Sequence, residues 1–416
     1  LERLEVGSMF LLINIIGLLV FLGVAVLFSR DRKNIQWGSI GVLVVLNLIL
    51  AWFFVYFPAG TWVVEKAAAG IAWVIDAAFK GIGFAFESFT TNESMDMAVA
   101  ALFPILLVVP LFDILMYLGI LPKFIRAIGW VLAKITRQPK FEAFFGIEMM
   151  FLGNTEALAV SSEQLKRMND ARVLTIAMMS MSSVSGAIVG AYVTMIPGEL
   201  VLTAIPLNIV NAMIVSSILN PVKIDADDDV IYELRSNEAR QPFFSFLGDS
   251  VLNAGKLVLI IIAFVISFVA LAELADRLIH LITGGLASII HLKGSFGLDQ
   301  ILGVFMWPFA LLLGLPLEEV WPVAQQMAKK IVTNEFVVMG EIAGEVNDYN
   351  PHRRAVISTF LISFANFSTI GMIIGTLKGI VQEKTSDFIS KYVPMMLLAG
   401  ILVSLLTAGF VGLFAW

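Results

Sequence analysis

Two carboxylates stand where the chain has least use for charge. In FLGNTEALAV (residues 151–160) Glu156 follows Asn154 and Thr155, and in VTNEFV (residues 332–337) Glu335 follows Asn334, each inside an otherwise apolar run. An ionisable side chain at the centre of a membrane costs about 3 kcal/mol on insertion scales, so one is kept where it faces protein, water or a ligand. A carboxylate accepts several hydrogen bonds at once and takes a bidentate pair from N–H groups or from two adjacent hydroxyls. Amide and hydroxyl neighbours add donors and acceptors, so two such groups facing one pocket suit a polar, neutral solute. The alternative is structural: each Glu ties its segment to a neighbouring helix.

The surrounding chain has the composition of a polytopic membrane protein. Of 416 residues 59% are hydrophobic and only 14% charged, with a mean hydropathy of +0.90, far from a soluble globular domain. A net charge of −6 and the absence of a basic run interleaved with aromatics argue against a nucleic-acid partner. With no cysteine there is no disulfide, thiolate metal site or cysteine nucleophile. His280, His291 and His352 are expected in links and show no HExxH spacing, and neither GxSxG nor a Walker A motif occurs. No cofactor and no metal are expected. An intramembrane enzyme, using the paired carboxylates for acid–base work, and a channel are the alternatives of another class.

The elements follow from apolar runs of about 20 residues. Residues 1–8 read as an added remnant, with Met9 the expected native start. Spans are expected at 9–28, 35–57, 98–120, 173–197, 200–222, 257–274, 355–377 and 392–416, with an amphipathic helix lying along the surface or packing on neighbours after the second span and a basic interfacial helix after the third. Residues 141–161 and 300–341 are too short or too interrupted to cross twice, and read as re-entrant hairpins whose tips hold GNTE and TNEF. A short interfacial helix is expected at 242–256, and the acidic run at 225–229 is expected to be solvated. The fourth and seventh spans carry small-polar clusters, SMSSVSGAIVG and SFANFSTIG, read as broken helices. Gly186, Gly190 and Ser183 match Gly371, Gly375 and Ser368 at an offset of 185, so each half reads as polar hairpin, broken span, plain span. Inverted repeats with discontinuous helices are a secondary-transporter architecture, and favour alternating access over an open pore. Links after spans one, three, five and seven and after the first hairpin hold three to five Lys or Arg each, and the others at most two, which places the N-terminus outside.

The division expected is therefore 9–140 as scaffold, 141–222 as the first transport repeat, 223–299 as scaffold and 300–416 as the second transport repeat, in an all-α membrane protein with eight transmembrane helices. Asp113 and Glu148 lack a motif and read as satisfied structural groups. Lys329 and Lys330 read as snorkelling or pairing with Glu318 or Glu319. Ser182, Ser183 and Ser185 read first as helix-packing residues.

GNTEA at 153–157, TNEFV at 333–337 and SFANFSTIG at 363–371 together resemble the signatures of the concentrative nucleoside transporter family, in order and spacing across nearly the whole chain. The resemblance implies a homotrimer in a bacterial cytoplasmic membrane, each protomer having its own pocket for a nucleoside, whose base edge and ribose diol offer the groups a carboxylate accepts. It implies that Gly153, Asn154, Thr155 and Glu156 contact the base with Ile188 beside it, and that Glu335, Asn366 and Thr369 contact the ribose with Phe364 nearby. Asn154 stands where many members have Gln, and Thr369 where they have Ser, so purine and pyrimidine both stay open. Sodium-coupled members carry an Asn where this chain has Met149, and a thioether is a poor ligand for a hard cation. Met149, Leu152, Ser183 and Val184 then form a vestigial sodium site at most. The broad likeness is to proton-coupled bacterial permeases, with Glu156 the first candidate for the proton carrier and Glu335 the second; sodium coupling is the alternative.

Overall fold

The computed structural model describes residues 2–87, 96, 98–224, 228–231, 241–289 and 297–416, and every regular element among them is helical. In chain order the α-helices are α1 (Glu2–Leu27), α2 (Trp37–Val55) and α3 (Pro58–Ala85), then, after a π-helical turn at Ala98–Leu102, α4 (Ile105–Tyr117) and the amphipathic α5 (Ile120–Thr136). The first hairpin comprises α6 (Lys140–Leu152), α7 (Asn154–Val160) and a last turn, α8 (Ser162–Leu165). The first broken segment is α9 (Asp170–Ser180) with α10 (Gly186–Tyr192), followed by the unbroken α11 (Gly198–Leu219). The second half holds α12 (Phe243–Ile289), α13 (Leu298–Leu311), the hairpin arms α14 (Leu317–Val332) and α15 (Glu335–Ile342), the broken pair α16 (Pro351–Leu361) and α17 (Phe367–Lys378), α18 (Glu383–Ser390) and α19 (Val393–Gly412). Among the described residues seven helices are long and apolar enough to cross a membrane, α11 and α19 being the most buried. These two pack on each other and carry the broken segments against them.

Local chemistry sets the breaks. Gly153 turns the first hairpin at φ 91°, ψ 178°, a conformation that glycine adopts without steric cost. A Cβ there would stand 2.7 Å from the Ser185 Cβ. Two other half-helices restart on asparagine caps: Asn334 Oδ1 accepts from the Val337 N–H at 3.1 Å, and Asn366 Oδ1 from the Thr369 N–H at 2.9 Å, each cap being worth about 1 kcal/mol. The carbonyls freed at the breaks are paired, as backbone away from water must be. Ser180 O accepts from Ser183 Oγ and Asn154 Nδ2, both at 3.4 Å, and Ile362 O accepts from Asn208 Nδ2.

A buried polar chain links α2, α11, α19 and the second break. Asn47 donates to Asn211 (2.8 Å), Asn211 to Thr407 (2.9 Å) and Thr407 to Asn208 (2.6 Å). Between helices bathed in lipid, where hydrophobic contrast is absent, such bonds and close packing hold the bundle.

Several expectations change. Residues 243–289 form one 47-residue helix rather than an interfacial helix, a span and an irregular stretch. Its interior has no proline, and Gly248 and Gly255 meet no neighbour; glycine alone costs only about 1 kcal/mol in a helix. Residues 300–341 hold a separate helix, α13, joined to α14 by a turn with Gly314 at φ 78°, so the second hairpin proper is α14 and α15. The two five-residue breaks end at Ser185 and Asn366, 181 residues apart, so the repeats align one helical turn away from the glycine match. α3, expected to lie along the surface or to pack on neighbours, does pack on α2, α4 and α11, and it also has the length and apolarity of a span. His280 lies within α12 and His352 within α16, rather than in links, and His291 falls outside the described residues.

Of the acidic run, 225–227 lie outside the described residues, and Asp228 and Asp229 are not simply solvated. Asp229 Oδ1 accepts the Lys140 N–H at 2.7 Å at the start of α6. Arg172 donates to Asp228 O at 2.9 Å while forming a buried bidentate pair with Glu142 at 2.7 and 2.9 Å. This link therefore straps the base of the first hairpin to α9.

Candidate functional site

A cleft of about 640 Å³ lies where both hairpin tips and both breaks meet. Half-helix beginnings form its polar wall: Asn154, Thr155 and Glu156 open α7, Ser185 and Ile188 belong to the start of α10, Asn334 and Glu335 to that of α15, and Ser368 and Thr369 to that of α17. The first N–H groups of a helix lack intrahelical partners and carry partial positive charge, which offsets carboxylates placed beside them. The opposite wall is apolar, built by Leu257, Ile260, Ile261 and Phe264 of α12. Gly153, Asn154, Thr155, Glu156, Ile188, Glu335, Phe364, Asn366 and Thr369, scattered over more than 200 residues of chain, all line this one cleft.

The two carboxylates are held differently. Glu335 is 2% exposed; Tyr192 Oη donates to its Oε1 at 2.8 Å and Asn366 Nδ2 to its Oε2 at 3.0 Å. Asn366 is fixed in turn, its Oδ1 accepting from Ser368 Oγ (2.7 Å), the Thr369 N–H (2.9 Å) and Thr369 Oγ1 (3.0 Å). Glu156 is exposed to the cleft and has one side-chain partner, Thr155 Oγ1 at 2.9 Å. Asn154 spends its amide on structure, donating to Ser180 O and accepting the Thr155 N–H at 2.8 Å, so it ties the hairpin tip to the first break.

Lys330 neither snorkels nor pairs with Glu318 or Glu319. It is wholly buried, its Nζ donating to Ser363 Oγ at 2.6 Å and Ser404 Oγ at 3.5 Å and lying 5.1 Å over the Phe360 ring. It forms no direct ion pair with Glu335, although the two buried groups interact through space. Its neighbour Lys329 reaches outward to Glu341 at 2.6 Å. Lys330 and Glu335 thus grip the same break from one hairpin, the first through Ser363 and the second through Asn366. Sequence reasoning missed Lys330, although it shares the buried face of α14 with Val323, Met327 and Ile331. Tyr192 was missed too; its signal was a place one turn beyond Ile188 on the same helix face.

Other candidates stand apart from the cleft. Ser250 donates to Asp113 Oδ2, and Ser161 Oγ to Glu148 Oε2 at 2.9 Å, so both carboxyls have the structural partners expected of them. Ser182 and Ser183 are buried and donate to backbone carbonyls, whereas Ser185 faces the cleft. Of the four vestigial sodium positions, Met149 is fully buried in α6 and Ser183 spends its hydroxyl on Ser180 O. Among the described residues no group of three or more His, Asp or Glu could hold a metal ion.

Comparison with known proteins places this architecture. The family model described as "Na+ dependent nucleoside transporter C-terminus" matches residues 200–412, and its N-terminal counterpart matches residues 16–89. The chain is 44% identical to the purine nucleoside transport protein NupG of Bacillus subtilis, over 98% of this chain and all of that one. It is 28% identical to the nucleoside permease NupC of Helicobacter pylori, over 97% of each. Among solved structures, CNTnw in an inward-facing substrate-bound state superposes with a TM-score of 0.87 at 24% identity, covering 98% of both chains. A variant of CNTnw in an outward-facing state gives 0.89 over 98% of this chain and 99% of that one. At that identity the structural likeness speaks for the fold alone.

Proposed function

We propose, from the premise that this chain belongs to the concentrative nucleoside transporter family, that it imports purine nucleosides across a bacterial cytoplasmic membrane by proton symport. The observation that carries the reading is the convergence of both carboxylates, with amide and hydroxyl partners, on one cleft between two hairpins and two broken helices. Purine specificity is inferred from the 44% identical Bacillus relative named as a purine nucleoside transport protein.

The division of labour follows from which lone pairs are free. A carboxylate has about four acceptor sites; at Glu335 Tyr192 and Asn366 occupy two, and the remaining two suit the paired hydroxyls of a ribose. Thr369 adds a hydroxyl, and Phe364 packs beside the sugar. Glu156, Thr155, Asn154 and Gly153 meet the base edge, Ile188 lies along its side, and the apolar face of α12 covers the ring. Glu156, open to the cleft and lightly held, is the group that takes up a proton from outside and releases it inside. Glu335 is the runner-up, but its two fixed donors favour a permanent acceptor. Binding energy for base and ribose closes the hairpin tips over the solute, and the break-and-hairpin unit carries it past a fixed scaffold. We further infer a homotrimer: Leu259, Ile266, Leu271 and Leu281 of α12 are bare in a single protomer, and the mass of the detergent-solubilised particle tests it.

Sodium coupling is the second reading, favoured by the description of the matching family model. The buried thioether of Met149 counts against it.

Calorimetric titration of the purified protein with inosine, uridine, hypoxanthine and ribose tests the reading. Inosine is expected to bind tightest. Glu335→Gln is expected to weaken inosine by roughly 10- to 150-fold, the worth of a hydrogen bond to a charged group, while leaving hypoxanthine unchanged. Equal weakening of hypoxanthine, or no nucleoside binding by the unaltered protein, contradicts the assignment.

A further inference from the structure

A second groove, of about 950 Å³, lies on the other side of the first hairpin, between α5 and the start of α6. Four cations line it: Arg126, Lys134, Arg137 and Lys140. All four are exposed. Lys140 reaches Asp229, the only carboxylate among the described residues that line the groove, at 3.8 Å. Arg126, Lys134 and Arg137 form no ion pair among the described residues; Arg126 Nε contacts Pro122 O at 3.4 Å, and Lys134 lies 4.8 Å over the Trp130 ring. Arg137 caps α5 at φ 56°, a left-handed conformation uncommon outside glycine. The bland reading, basic residues soothing a helix C-terminus, accounts for Lys134 but not for the cations reaching the groove from Arg126 and from α6.

The groove is also apolar where a free anion would have no use for it. Trp130, 64% exposed, and Phe144 share its lining, and Phe124, Val131 and Ile135 stand exposed on α5 nearby. The opposite face of α5, with Leu121, Ile125 and Leu132, is buried against the bundle. A row of cations beside bare aromatic and aliphatic surface is the pattern of a helix lying in a membrane interface and reading an anionic lipid. The seam is tight: a Cβ on Gly129 would stand 3.1 Å from Phe144 Cα, so an occupant touches scaffold and hairpin together.

We propose that this groove between α5 and the first hairpin binds the phosphate headgroup of an anionic phospholipid, its acyl chain lying over Trp130. The site is separate from the nucleoside cleft and does not depend on what the cleft carries.

The test is titration of the delipidated protein in neutral detergent with dioctanoyl phosphatidylglycerol, dioctanoyl phosphatidylcholine and inorganic phosphate. Phosphatidylglycerol is expected to bind, and the Arg126→Gln/Lys134→Gln/Arg137→Gln variant to bind it about a hundredfold more weakly, near fivefold for each cation removed. Phosphatidylcholine and phosphate are expected not to compete. If the triple variant does not fold, Arg137→Gln alone carries the same test at about fivefold. Unchanged affinity in the variant overturns the proposal, as does competition by inorganic phosphate alone, which would mark a free-anion site. An equal loss in the Lys384→Gln/Lys391→Gln control, whose changes lie in α18 and at its end, would overturn it by showing general surface charge.

Discussion

At the level of single residues, the two glutamates are alike in sequence context and unlike in setting: Glu335 is buried and fixed by Tyr192 and Asn366, with Lys330 buried nearby, whereas Glu156 is open to the cleft. Removing one of two buried, mutually attracting groups leaves the other less compensated, whereas replacing both is often close to neutral. Lys330→Met is therefore expected to lower the thermal stability of the detergent-solubilised protein strongly, and Lys330→Met/Glu335→Gln to recover much of that loss. A double variant as unstable as the single one would show that Lys330 serves Ser363 and Ser404 rather than Glu335. Glu156 and Glu335 with their amide and hydroxyl neighbours were legible because a polar side chain in a hydrocarbon run needs a reason, whereas Ile188 and Phe364 were named only through the family resemblance. Tyr192 and Lys330 were not legible, since a tyrosine and a lysine near a helix end each have an ordinary interfacial explanation. Which of them turns inward depends on packing that only the folded chain shows.

At the level of elements, the breaks were readable and some of the unbroken stretches were not. Gly153, Asn334 and Asn366 announce the turns because their backbone or capping preferences are strong. Gly153→Ala is expected to fold but to displace the hairpin tip from Ser185, reducing nucleoside uptake by more than about tenfold through strain of about 1–3 kcal/mol. Adding Ser185→Gly removes the contact but not the left-handed backbone, so partial recovery is expected; full activity in Gly153→Ala would mean that the tip has room the structure denies it. α12 was misread as several pieces, partly on the pair Gly284 and Gly285, although glycine alone does not end a helix and Gly248 and Gly255 meet no neighbour. The repeat register slipped by a turn for a related reason. Gly186 and Gly190 receive Phe112 and Val108 of α4 at 3.0 and 3.1 Å from where a Cβ would be, while Gly371 and Gly375 meet no neighbour. Identical glycines serve packing in one repeat and not in the other, so matching them did not match the breaks.

At the scale of the whole molecule, the chain is a helical membrane protein in which a cleft is shared by elements from both repeats and by α12. Membrane character and the pairing of repeats were legible from hydropathy and polar interruptions; the strap at Asp228 and Asp229 was not, because its partners Lys140 and Arg172 are distant in sequence. The absence of cysteine makes one whole-molecule prediction simple to check. A single cysteine introduced as Thr155→Cys is expected to react with a membrane-impermeant thiol reagent from either side of a sealed vesicle, and more slowly when inosine is present. Reaction from one side only, whatever the substrate, would contradict alternating access. The most direct measurement is uptake of radiolabelled inosine and uridine into proteoliposomes under an imposed proton gradient, a sodium gradient or neither. Inosine is expected to accumulate above its external concentration under the proton gradient alone, and to lose that accumulation in Glu156→Gln. Accumulation driven only by sodium would contradict proton coupling, and no accumulation of either nucleoside under any gradient would contradict concentrative nucleoside transport itself.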